Sequence, residues 1–243
     1  MSSPHPDEER AARVAGRWRD AQRRVADAAT AAGRDPREVR ILLAVKTLPA
    51  RVVREAVLSG ATLLGQNRVQ ELTAVAPELA ALAPTWHVIG HLQSNKVNAA
   101  LQWAHAVQSV DSTDLAARLS RRCTALDRDL EVWVQVNVSG EATKSGVTPA
   151  AALELAAEVA ALPRLRLAGL MTIGARSDDE ALVRAGYARL RELRDALVGS
   201  GAPGTADAHG LSMGMSGDVE LAVAEGATMV RLGSAVFGPR PPA

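Results

Sequence analysis

Eight short apolar runs punctuate this chain. Each closes on a small or polar residue and is followed by a stretch with helical spacing. The runs cover residues 40–45, 62–65, 86–90, 106–110, 131–137, 166–171, 208–212 and 229–233. Short, near-continuous apolar runs are what a parallel sheet needs when both of its faces are covered. The stretches between them, 51–59, 67–81, 94–101, 113–126, 149–162, 179–198 and 216–224, read as helices, and a short turn closes the chain. An extra helix is predicted over 8–32, with Ala, Arg and Val at helical spacing and Gly33 at its end. Eight strands, each followed by a helix, is the count of a (β/α)8 TIM barrel. The alternative is an open doubly wound sheet, but no Gly-x-Gly-x-x-Gly follows the first strand to support its dinucleotide form. No linker divides the chain; the Gly- and Pro-containing loop at 199–207 falls between the seventh helix and strand. The expectation is therefore an α/β protein with a flexible start over 1–9 and a single barrel domain over 10–243.

Composition narrows the function more than the fold. Of the 243 residues, 47% are hydrophobic and only 2% aromatic, so the core must be aliphatic. Net charge is +1, which gives no electrostatic case for nucleic acid. Most arginines are interleaved with acids, as in Arg189-Leu190-Arg191-Glu192, and read as solvated helix faces. Cys123 is the only cysteine, which excludes a disulfide framework and a cysteine-based metal site. The polar start shows no signal segment, and no apolar run is long enough for a membrane span. A soluble cytoplasmic protein, monomeric or weakly dimeric, is expected.

Three lysines remain in the whole chain, Lys46, Lys96 and Lys144, beside twenty-five arginines. Arginine replaces lysine wherever a solvated charge suffices, but it cannot offer a primary amine to a carbonyl. Lys46 ends the apolar run Ile41-Leu42-Leu43-Ala44-Val45, where desolvation would make its amine nucleophilic. The competing reading is a lysine that snorkels out at a strand end. In a barrel the chemistry gathers at the C-terminal strand ends. Here those ends carry Lys46-Thr47, Gln66-Asn67-Arg68, His91 to Lys96, Asp111-Ser112, Asn137, Thr172, Ser212 to Ser216, and Gly233-Ser234. Taken singly, Asp111, Ser112 and Ser216 also suit helix N-caps. Phosphate sites in such barrels follow strands seven and eight. Ser212, Arg231, Gly233 and Ser234 offer hydroxyls, charge and close backbone there. A lysine and a phosphate grip at one mouth describe pyridoxal 5′-phosphate held as a lysine aldimine; a sugar-phosphate aldolase is the other reading. His87 sits within the third strand and reads as a packed core histidine rather than a metal ligand.

The longer motifs carry a resemblance. Trp86-His87-Val88-Ile89-Gly90-His91-Leu92-Gln93-Ser94-Asn95-Lys96 is similar to a signature of the pyridoxal phosphate homeostasis proteins, the YggS/PROSC group. Leu211 to Ser216 followed by Met229 to Ser234 resembles that family's closing signature. Gly65 to Glu71, Gln135 to Glu141 with Lys144-Ser145-Gly146, and Gly169 to Gly174 match as well. The resemblance runs from about residue 10 to the end. It implies a barrel like that of alanine racemase without the second domain, and a role in holding the cofactor as carrier or buffer, with apo-enzymes that use it as partners. It also implies Lys46 as the Schiff-base residue and Asn67 beside the ring. Ser212, Gly233 and Ser234 fall on the phosphate, and Arg231 on either ring nitrogen or phosphate. Two departures stand out. The family usually reads Ala-Val-Ser-Lys-Thr where this chain has Ala44-Val45-Lys46-Thr47, and a one-residue change in a strand flips the side-chain face. Gln66 also stands where glutamate is commoner.

A racemase-like enzyme is the alternative function. Racemisation needs a base on each face of the α-carbon, and the chain's one tyrosine, Tyr187, lies in a helical stretch where packing is its expected role. An arginine, rather than an acid, near the pyridine nitrogen also weakens the electron sink that carbanion chemistry uses. Binding is therefore the expected function, with no catalytic residues.

Overall fold

The apolar runs become eight strands of one closed sheet. The computed structural model describes residues 6–238. In chain order the elements are α1 (Pro6–Ala31), β1 (Arg40–Ala44), α2 (Ala50–Leu58), β2 (Leu63–Gln66), α3 (Val69–Leu79), β3 (Thr85–Val88), α4 (Val97–Ala100), β4 (Ala106–Val110), α5 (Thr113–Ala125), β5 (Leu130–Gln135), α6 (Ala152–Ala160), β6 (Leu165–Met171), α7 (Glu180–Gly199), β7 (Gly210–Ser212), α8 (Val219–Ala224), β8 (Met229–Leu232) and α9 (Ser234–Phe237). All neighbouring strands pair in parallel in sequence order, and β8 returns to β1 with Leu42 opposite Arg231. The doubly wound alternative is excluded by this closure. Of the expected flexible start 1–9, residues 1–5 lie outside the described residues, and 6–9 form the first turns of α1. The stretch 94–101 is not one helix: a 3-10 turn, Ser94–Lys96, precedes the four-residue α4.

Alternation along each strand separates two cores. Leu42, Leu63, Ile89, Trp133, Met171 and Met229 fill the barrel interior, with Ala44 and Ala168 packed against them. The intervening residues, among them Leu43, Val45, Leu64, Val88, Leu211 and Val230, face the helices in the larger outer core. Fully burying one such aliphatic side chain stabilises by about 1.5–3 kcal/mol, which is why a fold with so few aromatics still closes. α1 lies outside the ring and packs on α2, α8 and α9, burying Val14, Trp18, Ala21 and Val25. Arg10 reaches across to Glu55 of α2 at 2.7 Å, and Arg24 to Glu220 of α8 at 2.6 Å. No helix among the described residues is long and apolar enough to cross a membrane.

Candidate functional site

The pleat that sorts the cores also decides which polar residues line the barrel mouth. On β1, Leu42 and Ala44 face inward, and Lys46 lies in the turn two residues past the end of the strand. Despite the shortened Ala44-Val45-Lys46 run, Val45 N still donates to Gly65 O at 2.9 Å, continuing the pairing with β2 up to the residue before Lys46. By the same alternation Leu63 and Gly65 lead to Asn67, Ile89 leads to His91, and Met229 leads to Arg231 and Gly233. Gln66 lies on the opposite face. It is buried, donates from Nε2 to Val45 O at 3.4 Å, and accepts from Asn67 N at 3.3 Å, tying the ends of β1 and β2 together.

Lys46 is exposed, not desolvated as its apolar run implies. The physical reason is that β1 stops at Ala44 and the chain turns immediately, lifting Lys46 above the last packed layer. Thr47 takes a left-handed backbone, φ 61°, which is costly for a β-branched residue. Its N–H is held by Glu71 Oε2 of α3 at 2.9 Å. The neighbouring mouth loop is held as tightly. A Cβ on Gly90 would stand 2.4 Å from Asn67 O, so glycine alone lets the β3 end lie against Asn67.

Arg231 is the deepest of the expected residues. It is buried on β8 and donates from Nη1 to Ser212 O at 2.7 Å and Ser212 Oγ at 2.9 Å, and from Nη2 to Thr172 O at 2.7 Å. Burial lowers its pKa to about 10, against the raising influence of Tyr187 and Asp218, so it stays a cation at neutral pH. Ser212 is fully buried below the mouth, and its hydroxyl donates to Gln108 Oε1 at 2.7 Å. Gln108 Nε2 in turn lies 2.8 Å from His87 Nδ1. His87 is the packed histidine its strand position implies: burial brings its pKa down to about 4.

The closing loops differ from their expected use. Ser216 does not cap α8; Asp218 occupies that position. Ser216 Oγ instead accepts from Gly233 N at 3.3 Å and Ala235 N at 3.2 Å, at the end of the neighbouring strand β8. Two backbone donors thus converge on one oxygen, and the serine keeps its own proton to donate. Gly214, at φ +89°, makes the bend that brings Ser216 there; a Cβ on it would meet Ala222 Cβ at 2.4 Å. Asp218 braces the same loop, accepting from Met215 N at 2.5 Å and from the Tyr187 hydroxyl at 2.8 Å. Tyr187 is fully buried and burial raises its pKa, so its role is packing and loop support. Ser234 is exposed beside the buried Gly233. Outside the lumen, Lys144 Nζ is engaged by Glu141 at 2.5 Å and Gly174 O at 2.8 Å. Lys96 lines a groove of about 540 Å³ with Asn67, Arg68 and His91. Cys123 is buried, and burial raises its thiol pKa, as suits a passive residue. No metal-binding cluster of His, Cys, Asp or Glu occurs among the described residues.

Gln108 is a polar contributor that sequence does not single out, and Ser216 is one whose partners it does not show. For Gln108 a signal exists, a glutamine in the middle of the apolar run 106–110. For Ser216 the place after strand seven is legible, but its partners on another strand end are not.

Residues 21–241 match the family model described as alanine racemase, N-terminal domain. The chain is 46% identical over 218 residues to the pyridoxal phosphate homeostasis protein of Pseudomonas aeruginosa, covering 89% of this chain and 91% of that one. Its identity to the protein of the same name from Escherichia coli K12 is 41% over 226 residues, covering 89% and 92%. Among solved structures, PipY of Synechococcus elongatus with PLP bound superposes with a TM-score of 0.77 at 35% identity, over 88% of this chain and all of that one. Alanine racemase of Corynebacterium glutamicum reaches a TM-score of 0.71 at 17% identity over 95% of this chain and 62% of that one, a likeness of fold alone.

Proposed function

This chain belongs to the pyridoxal phosphate homeostasis protein family, and we propose that it binds pyridoxal 5′-phosphate through Lys46 at the barrel mouth and serves as a carrier or buffer of that cofactor. The observation that carries this reading is that an exposed lysine follows β1 while the ends of its neighbour β8 and of β7 are joined by a serine hydroxyl held by two backbone N–H groups. The donor set fits the cofactor's chemistry. Gly233 N and Ala235 N both donate to Ser216 Oγ, which leaves the serine's own proton to offer to a phosphate oxygen at the end of strands seven and eight. When bound, the cofactor supplies an aldehyde that a primary amine can take up.

Each residue then has a task. Lys46, exposed at the turn, offers the amine, and Glu71 holds the turn through Thr47 N. Ser216 and Ser234 offer their hydroxyls to the phosphate, and Gly233, whose N–H holds Ser216 Oγ, lets it approach closely. Arg231 lies one pleat deeper than Gly233, and both of its terminal nitrogens are already engaged by Ser212 and Thr172. That position favours the ring over the phosphate. Asn67, held against Gly90, flanks the ring. Ser212 acts through Arg231, since its own proton is given to Gln108. Tyr187 donates to Asp218 within the packed loop and offers no second base.

A carrier must release what it holds, so the recipients are apo-enzymes that require the cofactor. The test is incubation of loaded protein with such an apo-enzyme, alongside L-alanine in deuterated water. Transfer of cofactor without α-deuterium incorporation above free pyridoxal phosphate supports the carrier. Steady incorporation that disappears in Lys46→Ala overturns it in favour of a racemase-like enzyme.

A further inference from the structure

A chain of buried hydrogen bonds runs under the proposed site, from His87 on β3 through Gln108 on β4 and Ser212 on β7 to Arg231 on β8. It crosses the barrel interior, and all four residues are buried. Its direction is dictated by chemistry from one end. A guanidinium can only donate, so Ser212 Oγ accepts from Arg231 Nη1. The serine proton is directed to the other neighbour, Gln108 Oε1 at 2.7 Å. With its oxygen so used, Gln108 turns its amide N–H toward His87 Nδ1, at 2.8 Å. In this arrangement His87 Nδ1 carries the lone pair, the ring is the neutral Nε2–H form, and the same Gln108 amide also reaches Met229 Sδ at 3.1 Å.

The geometry points to Gln108 as a positioning residue for Arg231: acting through Ser212, it fixes the guanidinium in the lumen among neutral acceptors, leaving its charge for the bound cofactor. This rests on the reading of Arg231 as a cofactor contact. The partners of Arg231 are two backbone carbonyls and one hydroxyl. Asp218, the acid whose charge bears on it, accepts from Tyr187 and Met215 instead. A glutamine suits the relay because it accepts on one side and donates on the other without adding a charge. A carboxylate at 108 would also accept from Ser212, but it would set an anion beneath Arg231 and face the His87 lone pair with a second oxygen.

The proposal is tested by titrating pyridoxal phosphate into a double-mutant cycle of Gln108→Leu and Arg231→Gln, with a melting curve to confirm folding. Gln108→Leu is expected to weaken binding about tenfold, the scale of a lost buried hydrogen bond. In the Arg231→Gln background the same change should cost less than about twofold, because there is no guanidinium left to position. Equal losses in both backgrounds would mark Gln108 as merely structural and overturn the proposal. Gln108→Glu provides a second variant should Gln108→Leu not fold. It should weaken binding and move a proton onto His87 Nδ1, visible as a change in the histidine nitrogen spectrum from the Nε2–H form of the parent. Unchanged binding in Gln108→Glu overturns the proposal, as does a parent His87 protonated at Nδ1. If Arg231→Gln weakens binding while the Gln108 variants do not, only the positioning role fails. If Arg231→Gln has no effect, the cofactor contact itself fails, and the positioning role with it.

Discussion

Replacing Glu71 by alanine should loosen the turn that presents Lys46, by an amount set by one hydrogen bond. Thr47 sits at φ 61°, a conformation that costs a non-glycine residue about 1 kcal/mol, and more for a β-branched one. Its N–H donates to the Glu71 carboxylate at 2.9 Å across a sequence separation of 24 residues. Charge-assisted bonds contribute about 1.5–3 kcal/mol when buried, and this one is at an exposed site, so about 1 kcal/mol is the expected loss. That loss is of the same size as the strain it offsets, so the turn in Glu71→Ala relaxes and Lys46 is no longer held in one place. Thr47→Gly removes the strain instead, because glycine adopts this backbone freely. The assay has two readouts on the same proteins: the urea midpoint and the rate of borohydride-trappable cofactor attachment. Glu71→Ala should lower both. Adding Thr47→Gly to Glu71→Ala should recover most of the stability loss. If Thr47→Gly alone destabilises as much as Glu71→Ala, the turn is not strained and the reasoning fails.

Two further outcomes follow from the site. Ser216→Ala removes the hydroxyl that Gly233 N and Ala235 N share, and should weaken pyridoxal phosphate by about tenfold while changing unphosphorylated pyridoxal little; equal losses for both ligands, read by spectral titration, would deny the phosphate grip. His87 is held neutral, its pKa brought from 6.5 to about 4 by burial and by Arg40 and His105, with Glu131 opposing. The unfolded chain therefore binds a proton that the folded one refuses. Stability from this residue is complete above pH 6.5 and falls as pH drops toward 4, by about 2 kcal/mol between pH 6.5 and 5. Urea unfolding over that window should show the slope, and His87→Gln should flatten it.

The barrel was legible because its strands are buried on both faces, so apolar runs and helical spacing alternate without ambiguity. Most helix ends fell within a few residues of their expected places. The exception at 94–101 has a local cause: Ser94-Asn95-Lys96 favours a tight turn, leaving too few residues for a longer helix. The ring of strand-end residues was legible too, since topology alone brings Lys46, Asn67, Arg231 and Gly233 to one mouth. What sequence could not give was each residue's depth. An apolar run does not announce that its strand stops one residue early, so Lys46 emerged exposed, as in the reading of a lysine that reaches out at a strand end. Nor does a serine ahead of a helix reveal that its oxygen serves a different strand end, as in Ser216. The chain from His87 to Arg231 joins residues up to 144 positions apart, a connection that only the closed sheet creates.

Lys46 is the residue on which the account turns. Protein loaded with pyridoxal phosphate should be reduced with borohydride, digested, and the modified peptide identified by mass. The account predicts one modified site, on the peptide containing Lys46, and no fixed cofactor in Lys46→Ala. Attachment at Lys96 or Lys144, or undiminished attachment in Lys46→Ala, would contradict it.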